Sequence, residues 1–440
     1  MKRKSIWLGL IFFYVQLVGF AQVTELQSQL ENIPGVVSVQ KIDNNDFFNE
    51  TYEIMVEQYL DHQHPEAGKF AQRVILSDYN RYSPIIFVTE GYTANYATKP
   101  TYINELSKII EANQLVVEYR YFGKSVPENV GWEYLTIKNA CDDLHYIQQL
   151  FERIYNHQNK WIATGISKGG ENTIAYKAFY PDDMDVWIPY VGPVNFAVED
   201  KRMQKYIEKD GTPKCRKKVE DFQLAVLKHR NEIQPLFDSL TTAEGYTFSV
   251  SNEEVLDYCV LEYSFSFWQW GNSCATIPSD TVSSRVLFDH LVSISNPDYF
   301  AIDEVKPIKP FFIQAAKEFG YYSYNAKPLQ PYLKIETAKG YLQKLFLSGE
   351  PTFKFDKKTS KFINKSIQKD GDHMILIYGE YDPWTAGGIV PKSKSKAVRF
   401  VKPQGSHRTR INNMSYTQRA EIYKLLEKYL GMANSLQDSN

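Results

Sequence analysis

This 440-residue sequence predicts an α/β fold with a mostly parallel sheet, interrupted once by a largely helical insertion. Three observations carry that expectation. Short apolar runs ending in glycine or turn residues alternate with helical patterns as far as Pro193. A charged, aromatic, helix-rich stretch without strand rhythm then runs from about Asn195 to Lys369. Strand rhythm returns at His373.

The N-terminus carries Lys2, Arg3 and Lys4, then an apolar run from Ile6 to Phe20. Gly19-Phe20-Ala21 places small residues before a cut ahead of Gln22, the pattern of a secretory signal peptide over residues 1–21. The run is short for a membrane span, and no cysteine follows the cut to carry a lipid. An exported chain, secreted or periplasmic and without stable membrane insertion, is expected.

Residues 22–194 form the expected first part of the core. Alternation predicts strands at 36–42, 51–60 and 70–76, and the apolar run 83–90 before Gly91 reads as a buried parallel strand. A helix over 104–113 leads to a strand over 114–119. A long helix over 137–155 has Thr136 as its cap. Next come a strand over 160–164, a helix over 167–179 and a short strand over 185–190. Residues 195–369 are the expected cap. Residues 370–440 complete the core with strands over 373–378 and 397–401 and a helix over 416–429 that stops at Gly431.

Composition narrows the function classes. Lysine plus arginine against aspartate plus glutamate is 50 − 52 = −2, which gives no electrostatic reason to expect a nucleic acid partner. Four cysteines, Cys141, Cys215, Cys259 and Cys274, allow three pairings. Cys259 and Cys274 are the nearest pair and would close a short loop. Cys141, on an amphipathic helix pattern, reads as a buried free thiol. No cysteine pair has zinc-site spacing, and no ligand cluster accompanies Asp61-His62-Gln63-His64, so no metal or other cofactor is expected.

Gly165-Ile-Ser167-Lys-Gly169 lies between a predicted strand and a predicted helix. A serine at such a turn holds a strained backbone that lifts its hydroxyl above the sheet, and the flanking glycines let the chain pass closely. The helix behind it presents free N–H groups, and that of Lys168 faces a developing oxyanion. This is the nucleophile turn of an α/β-hydrolase fold. Gly271-Asn-Ser273-Cys-Ala275 lacks the second glycine. A hydroxyl nucleophile needs a base and an acid to orient it, and in this fold the chain order is Ser, acid, His. Asp382 follows a late apolar strand through Gly379, with Glu380 as its nearest rival, and Asp372 stands at the strand's wrong end. His407 lies between the last strand and the last helix, whereas His373 opens a strand. Thr89-Glu90-Gly91-Tyr92 follows the first buried strand, where the second oxyanion donor is expected from Tyr92 N–H. Glu90, with Gly91 beside it, is either structural or a substrate-binding carboxylate for an ammonium group.

These residues resemble a known family. Gln72-Arg-Val, Phe87-Val-Thr-Glu-Gly-Tyr92, Gly165-Ile-Ser-Lys-Gly-Gly170 and Tyr378-Gly-Glu-Tyr-Asp-Pro-Trp384 are similar to the bacterial secreted tripeptidyl aminopeptidases, which are serine peptidases. Glu118-Tyr-Arg-Tyr-Phe-Gly123-Lys-Ser-Val-Pro127 is also similar to the lysosomal Pro-Xaa carboxypeptidases and dipeptidyl peptidases. The resemblance covers roughly residues 50–195 and 370–410 and is poor in the cap. It implies a Ser167, Asp382, His407 triad and attack near the free N-terminus of a peptide. Lys168 stands where the lysosomal relatives carry tyrosine, which favours the tripeptidyl branch and leaves proline preference open. Rival readings keep the triad for an ester, as in a carboxylesterase or lipase-like hydrolase, or make the chain a non-catalytic peptide-binding protein.

Overall fold

A computed structural model of the chain describes residues 23–155, 159–432 and 436. The expected signal segment lies outside the described residues. One nine-stranded sheet organises the molecule. Its strands are β1 (Val36–Ile42), β2 (Glu50–Tyr59), β3 (Lys69–Asp78), β4 (Ile85–Thr89) and β5 (Asn113–Val117). They continue with β6 (Trp161–Ile166), β7 (Val186–Tyr190), β8 (Ile375–Gly379) and β9 (Val398–Lys402). The spatial order is β1-β2-β3-β5-β4-β6-β7-β8-β9. Pairings are antiparallel from β1 to the β3–β5 pair and parallel from there to β9. An antiparallel leading part followed by a parallel series with helical crossovers is the α/β-hydrolase arrangement.

Helices α1 (Glu25–Glu31), α2 (Glu105–Ile110), α3 (Ile137–Glu152) and α4 (Lys168–Phe179) accompany the first seven strands. The connection from β7 to β8 is largely helical. It holds α5 (Lys201–Ile207), α6 (Pro213–Lys228), α7 (Arg230–Glu244), α8 (Asn252–Gln269) and α9 (Ser284–Ile294). The short α10 (Ile302–Val305) and α11 (Lys309–Gln314) precede α12 (Lys357–Lys369), and α13 (Tyr416–Leu430) follows β9. Among the described residues, no helix is long and apolar enough to cross a membrane.

The central strands are buried on both faces, which is why they read as continuous apolar runs. Successive residues of β4 serve opposite cores. Ile86 and Val88 pack with Leu106 of α2 and Leu426 of α13, while Ile85 and Phe87 pack with Leu144 of α3 and Ile174 of α4. Caps fix the helix starts: Thr136 accepts from Asn139 N at 3.1 Å, and Asn104 accepts from Leu106 N at 2.9 Å. Gly431 ends α13 in the left-handed conformation at φ 68°.

Within the cap, α8 is the central element, with α6, α7 and α9 packed on it. The disulfide joins Cys215 to Cys274, not Cys259 to Cys274. Cys259 sits inside α8, ten residues or about 15 Å before its end, and is fully buried as a free thiol. Cys215, in the first turn of α6, is the one within reach, at a Cα separation of 5.6 Å. Cys141 is a buried free thiol.

Candidate active site

Ser167 stands between β6 and α4 with φ 57° and ψ −120°, a conformation that costs strain for any residue with a Cβ. Two backbone bonds hold it there: its N–H donates to Tyr190 O at 2.9 Å, and its carbonyl accepts from Glu171 N at 2.9 Å. Glycine at 165 is obligatory, because a Cβ there would lie 2.3 Å from Gly169 O and 2.7 Å from Thr89 O. The strand, the elbow and the first turn of α4 are thereby pressed together under a half-buried serine.

Asp382 and His407 are brought together from the ends of β8 and β9. Gly379 permits this: a Cβ there would lie 2.5 Å from the carbonyl oxygens of both Gly405 and Ser406, so the β9 loop closes directly onto the end of β8. Asp382 is fully buried and His407 is 5% exposed. His407 Nδ1 and Asp382 Oδ2 are 2.7 Å apart. A carboxylate can only accept, so Nδ1 carries the proton and Nε2 keeps its lone pair. The other Asp382 oxygen accepts from Trp384 N at 3.2 Å. The rivals are occupied elsewhere. Glu380 accepts from Gln404 N at 2.7 Å, Asp372 pairs with Lys396 at 3.0 Å, and His373 Nδ1 lies 3.0 Å from Asp185 O.

Ser167 opens into a cavity of about 550 Å³ between core and cap. Such a volume suits a short oligomeric ligand. Tyr92, Lys168, Trp270, Tyr321 and Trp384 line it. The Trp270 ring meets the His407 ring edge-on at 5.7 Å, and the α8 carbonyl of Gln269 accepts from His407 N at 2.8 Å. The cap therefore helps to position the histidine.

Lys168 starts α4, and its side chain turns inward and is 3% exposed. Its ammonium donates to Gly91 O at 2.6 Å and lies 3.2 Å from the centre of the Tyr119 ring. Burial pulls its pKa well below the usual lysine range, against the charges of Glu171 and Glu90. Glu171, one turn beyond Ser167, is 5% exposed and lines the cavity, and burial pushes its carboxyl well up. Its carboxylate receives no hydrogen bond from the described residues.

Glu90 and Gly91, expected to bind substrate, do not line this cavity. Glu90 accepts from the Tyr96 hydroxyl and from Gly91 N at 3.2 Å. Burial raises its carboxyl, and the Tyr96 hydroxyl and the amides of Gly91 and Tyr92 oppose the rise. Gly91 is a packing position, where a Cβ would lie 2.7 Å from that of Lys168. The Tyr92 ring lines the cavity, while its amide faces Glu90. The sequence reading missed Glu171, Glu262 and Asp298, three carboxylates of the cavity wall. The four-residue step from Ser167 marks Glu171 as a same-face neighbour. Glu262 and Asp298 lie in the cap, where no local pattern points inward. The Asp61-to-His64 segment serves packing, with His62 Nε2 2.8 Å from Asp143.

Several known proteins are similar to this chain. The prolyl tri/tetrapeptidyl aminopeptidase of Streptomyces mobaraensis is 28% identical over 431 residues, covering 94% of this chain and 86% of that protein. A probable serine protease, EDA2, of Arabidopsis thaliana is 29% identical over 192 residues, covering 39% of this chain and 38% of its own. Among solved structures, proline iminopeptidase from Mycobacterium smegmatis aligns with a TM-score of 0.36 at 12% identity, covering 89% of this chain and 99% of that one. The model of the PS-10 peptidase S37 family matches residues 21–438. The chain belongs to that family and is a serine peptidase.

Proposed function

We propose that the protein is a secreted serine exopeptidase that releases short peptides, chiefly tripeptides, from free N-termini. Ser167 attacks the scissile carbonyl while His407 Nε2 takes its proton, and Asp382 holds the imidazole in the tautomer this requires. The Lys168 amide stabilises the tetrahedral oxyanion, with the Tyr92 amide, shared with Glu90 at rest, as second donor. His407 then returns the proton to the leaving amine, and water hydrolyses the acyl-enzyme by the same route. The signal pattern of residues 1–21 supports export. The Streptomyces relative is named for prolyl peptides. The flat rings of Tyr321 and Trp384 in the cavity suit a proline side chain.

The single observation that carries the N-terminal reading is the charge of the cavity. Glu262 and Asp298 line it beside Glu171, which burial holds towards its neutral acid form, and the one lysine or arginine among the described residues that line it, Lys168, is turned to Gly91 O. Such a wall favours a substrate that brings a positive charge. The test is mass spectrometry of products from one decapeptide, free and N-acetylated, with Ser167→Ala as blank. Tripeptides released only from the free form by the active protein are expected. Internal cuts in both forms would make it an endopeptidase. Cleavage of simple esters with both peptides intact would make it an esterase.

A further inference from the structure

Glu262 lies on the cavity wall, 5% exposed, and accepts from Ser266 Oγ at 2.5 Å, Tyr322 OH at 2.7 Å and Tyr324 OH at 2.8 Å. Three hydroxyl donors fix the carboxylate and favour its charged form, against the burial that raises its pKa. No lysine, arginine or histidine among the described residues pairs with it. A buried carboxylate held only by neutral donors lacks its counter-charge, and a ligand's ammonium supplies one. The other two carboxylates fit that role less well. Glu171 stands one turn from Ser167 and is held towards its neutral acid form by burial. Asp298 lacks the hydroxyl cage.

The helix that carries Glu262 also reaches the catalytic histidine. Glu262, Ser266, Gln269 and Trp270 all line the cavity, and steps of four, three and one residues put them on one face of α8 or at its end. That face therefore runs along the cavity. At one end the Gln269 carbonyl holds His407 N at 2.8 Å. Glu262 lies seven residues earlier, about 10.5 Å along the axis at 1.5 Å per residue. Three extended residues span about 10–11 Å, two about 7 Å and four about 14 Å.

We propose that Glu262 binds the α-ammonium of the substrate and that α8 measures three residues from that anchor to the scissile bond. The proposal rests on the exopeptidase reading above and names the group that sets its step.

The test uses the full chain with coumarin amides of one to four residues, each free and N-acetylated, comparing wild type with Glu262→Gln. Fluorophosphonate labelling of Ser167 reports an intact fold and nucleophile. The wild type is expected to peak at the free tripeptide. In Glu262→Gln, kcat/KM on that substrate should fall roughly 30-fold or more, the scale of losing one partner of a buried charge pair. Hydrolysis of the acetylated tripeptide and labelling should stay unchanged. Inhibition of the wild type gives a second reading: a free tripeptide should inhibit at least tenfold more strongly than its acetylated form. Three results would overturn the anchor alone: a free-amine preference retained in Glu262→Gln, its loss in Asp298→Asn instead, or a wild-type peak at one or two residues. Equal inhibition by the two tripeptides would do the same. No peptide hydrolysis by a wild type that still labels would overturn the exopeptidase reading, and the anchor with it.

Discussion

Asp210 follows α5, 6% exposed, with Oδ2 unpartnered among the described residues. Burial first, then the charges of Asp382 and Glu380, push its carboxyl up to about 8. In the unfolded chain it ionises near 3.8. The stability this contributes is therefore complete below about pH 4 and is lost as pH rises to about 8. Asn is nearly isosteric with the protonated acid and does not titrate. Asp210→Asn should match the wild type at pH 4 and exceed it by roughly 5–6 kcal/mol at pH 9, the scale of a rise from 3.8 to about 8. Urea unfolding across that range checks this, and a constant difference between the two would refute it. The residue scale is also where sequence reading succeeds unevenly. The pairing of Asp382 with His407 was legible because each follows an apolar strand through a glycine turn, so position alone singled them out. Glu90 sits at an equally marked position, but its side chain turns towards Tyr96. Strand periodicity fixes where a residue falls in the chain, not which neighbour captures its carboxylate.

The middle of β3, the end of β5 and the loop after β4 converge on Glu118. Its fully buried carboxylate accepts from Arg73, from Ser125 Oγ at 2.8 Å, from Ala94 N and Lys124 N at 2.9 Å, and from Thr93 Oγ1 at 3.2 Å. Two residues on, Arg120 makes a two-pronged pair with Asp143 at 2.8 Å for each bond and also donates to the carbonyls of Tyr59, Leu60 and Tyr134. The Glu118-to-Gly123 motif, which carries the resemblance to the lysosomal peptidases, thus braces the loop that carries Tyr92. Glu118→Ala would leave buried Arg73 with only the more distant Glu53, at 3.5 Å, as counter-charge, an expected loss of about 3 kcal/mol by urea unfolding. The exposed α6 pair of Lys217 and Asp221 is the control, where Asp221→Ala should cost about 0.5 kcal/mol or less. Comparable losses in both would mean that Glu118 is no brace. Elements of the core were legible because a strand buried on both faces must be apolar throughout. The cap was legible only as helix, since which face of α8 meets the cavity depends on tertiary packing.

Core and cap are separate in sequence pattern, yet the histidine depends on both. Asp382 holds the ring from the core, while Gln269 and Trp270, at the end of α8, hold its backbone and roof it. Cys274 follows Trp270 by four residues and is bonded to Cys215 at the start of α6. The disulfide thus ties the roof of His407 to the body of the cap. With a sequence separation of 59, chain entropy gives it about 4 kcal/mol. That pairing was not legible, because nearness in sequence favoured Cys259, and only the length of α8 takes Cys259 out of reach. Two consequences separate this brace from a remote staple. Cys274→Ser should lower the urea midpoint, and it should also slow fluorophosphonate labelling of Ser167, because a looser roof leaves His407 less well aimed. Reductant should reproduce both effects in the wild type and add nothing in the variant. A lower midpoint with an unchanged labelling rate would mean that the core alone aims the histidine.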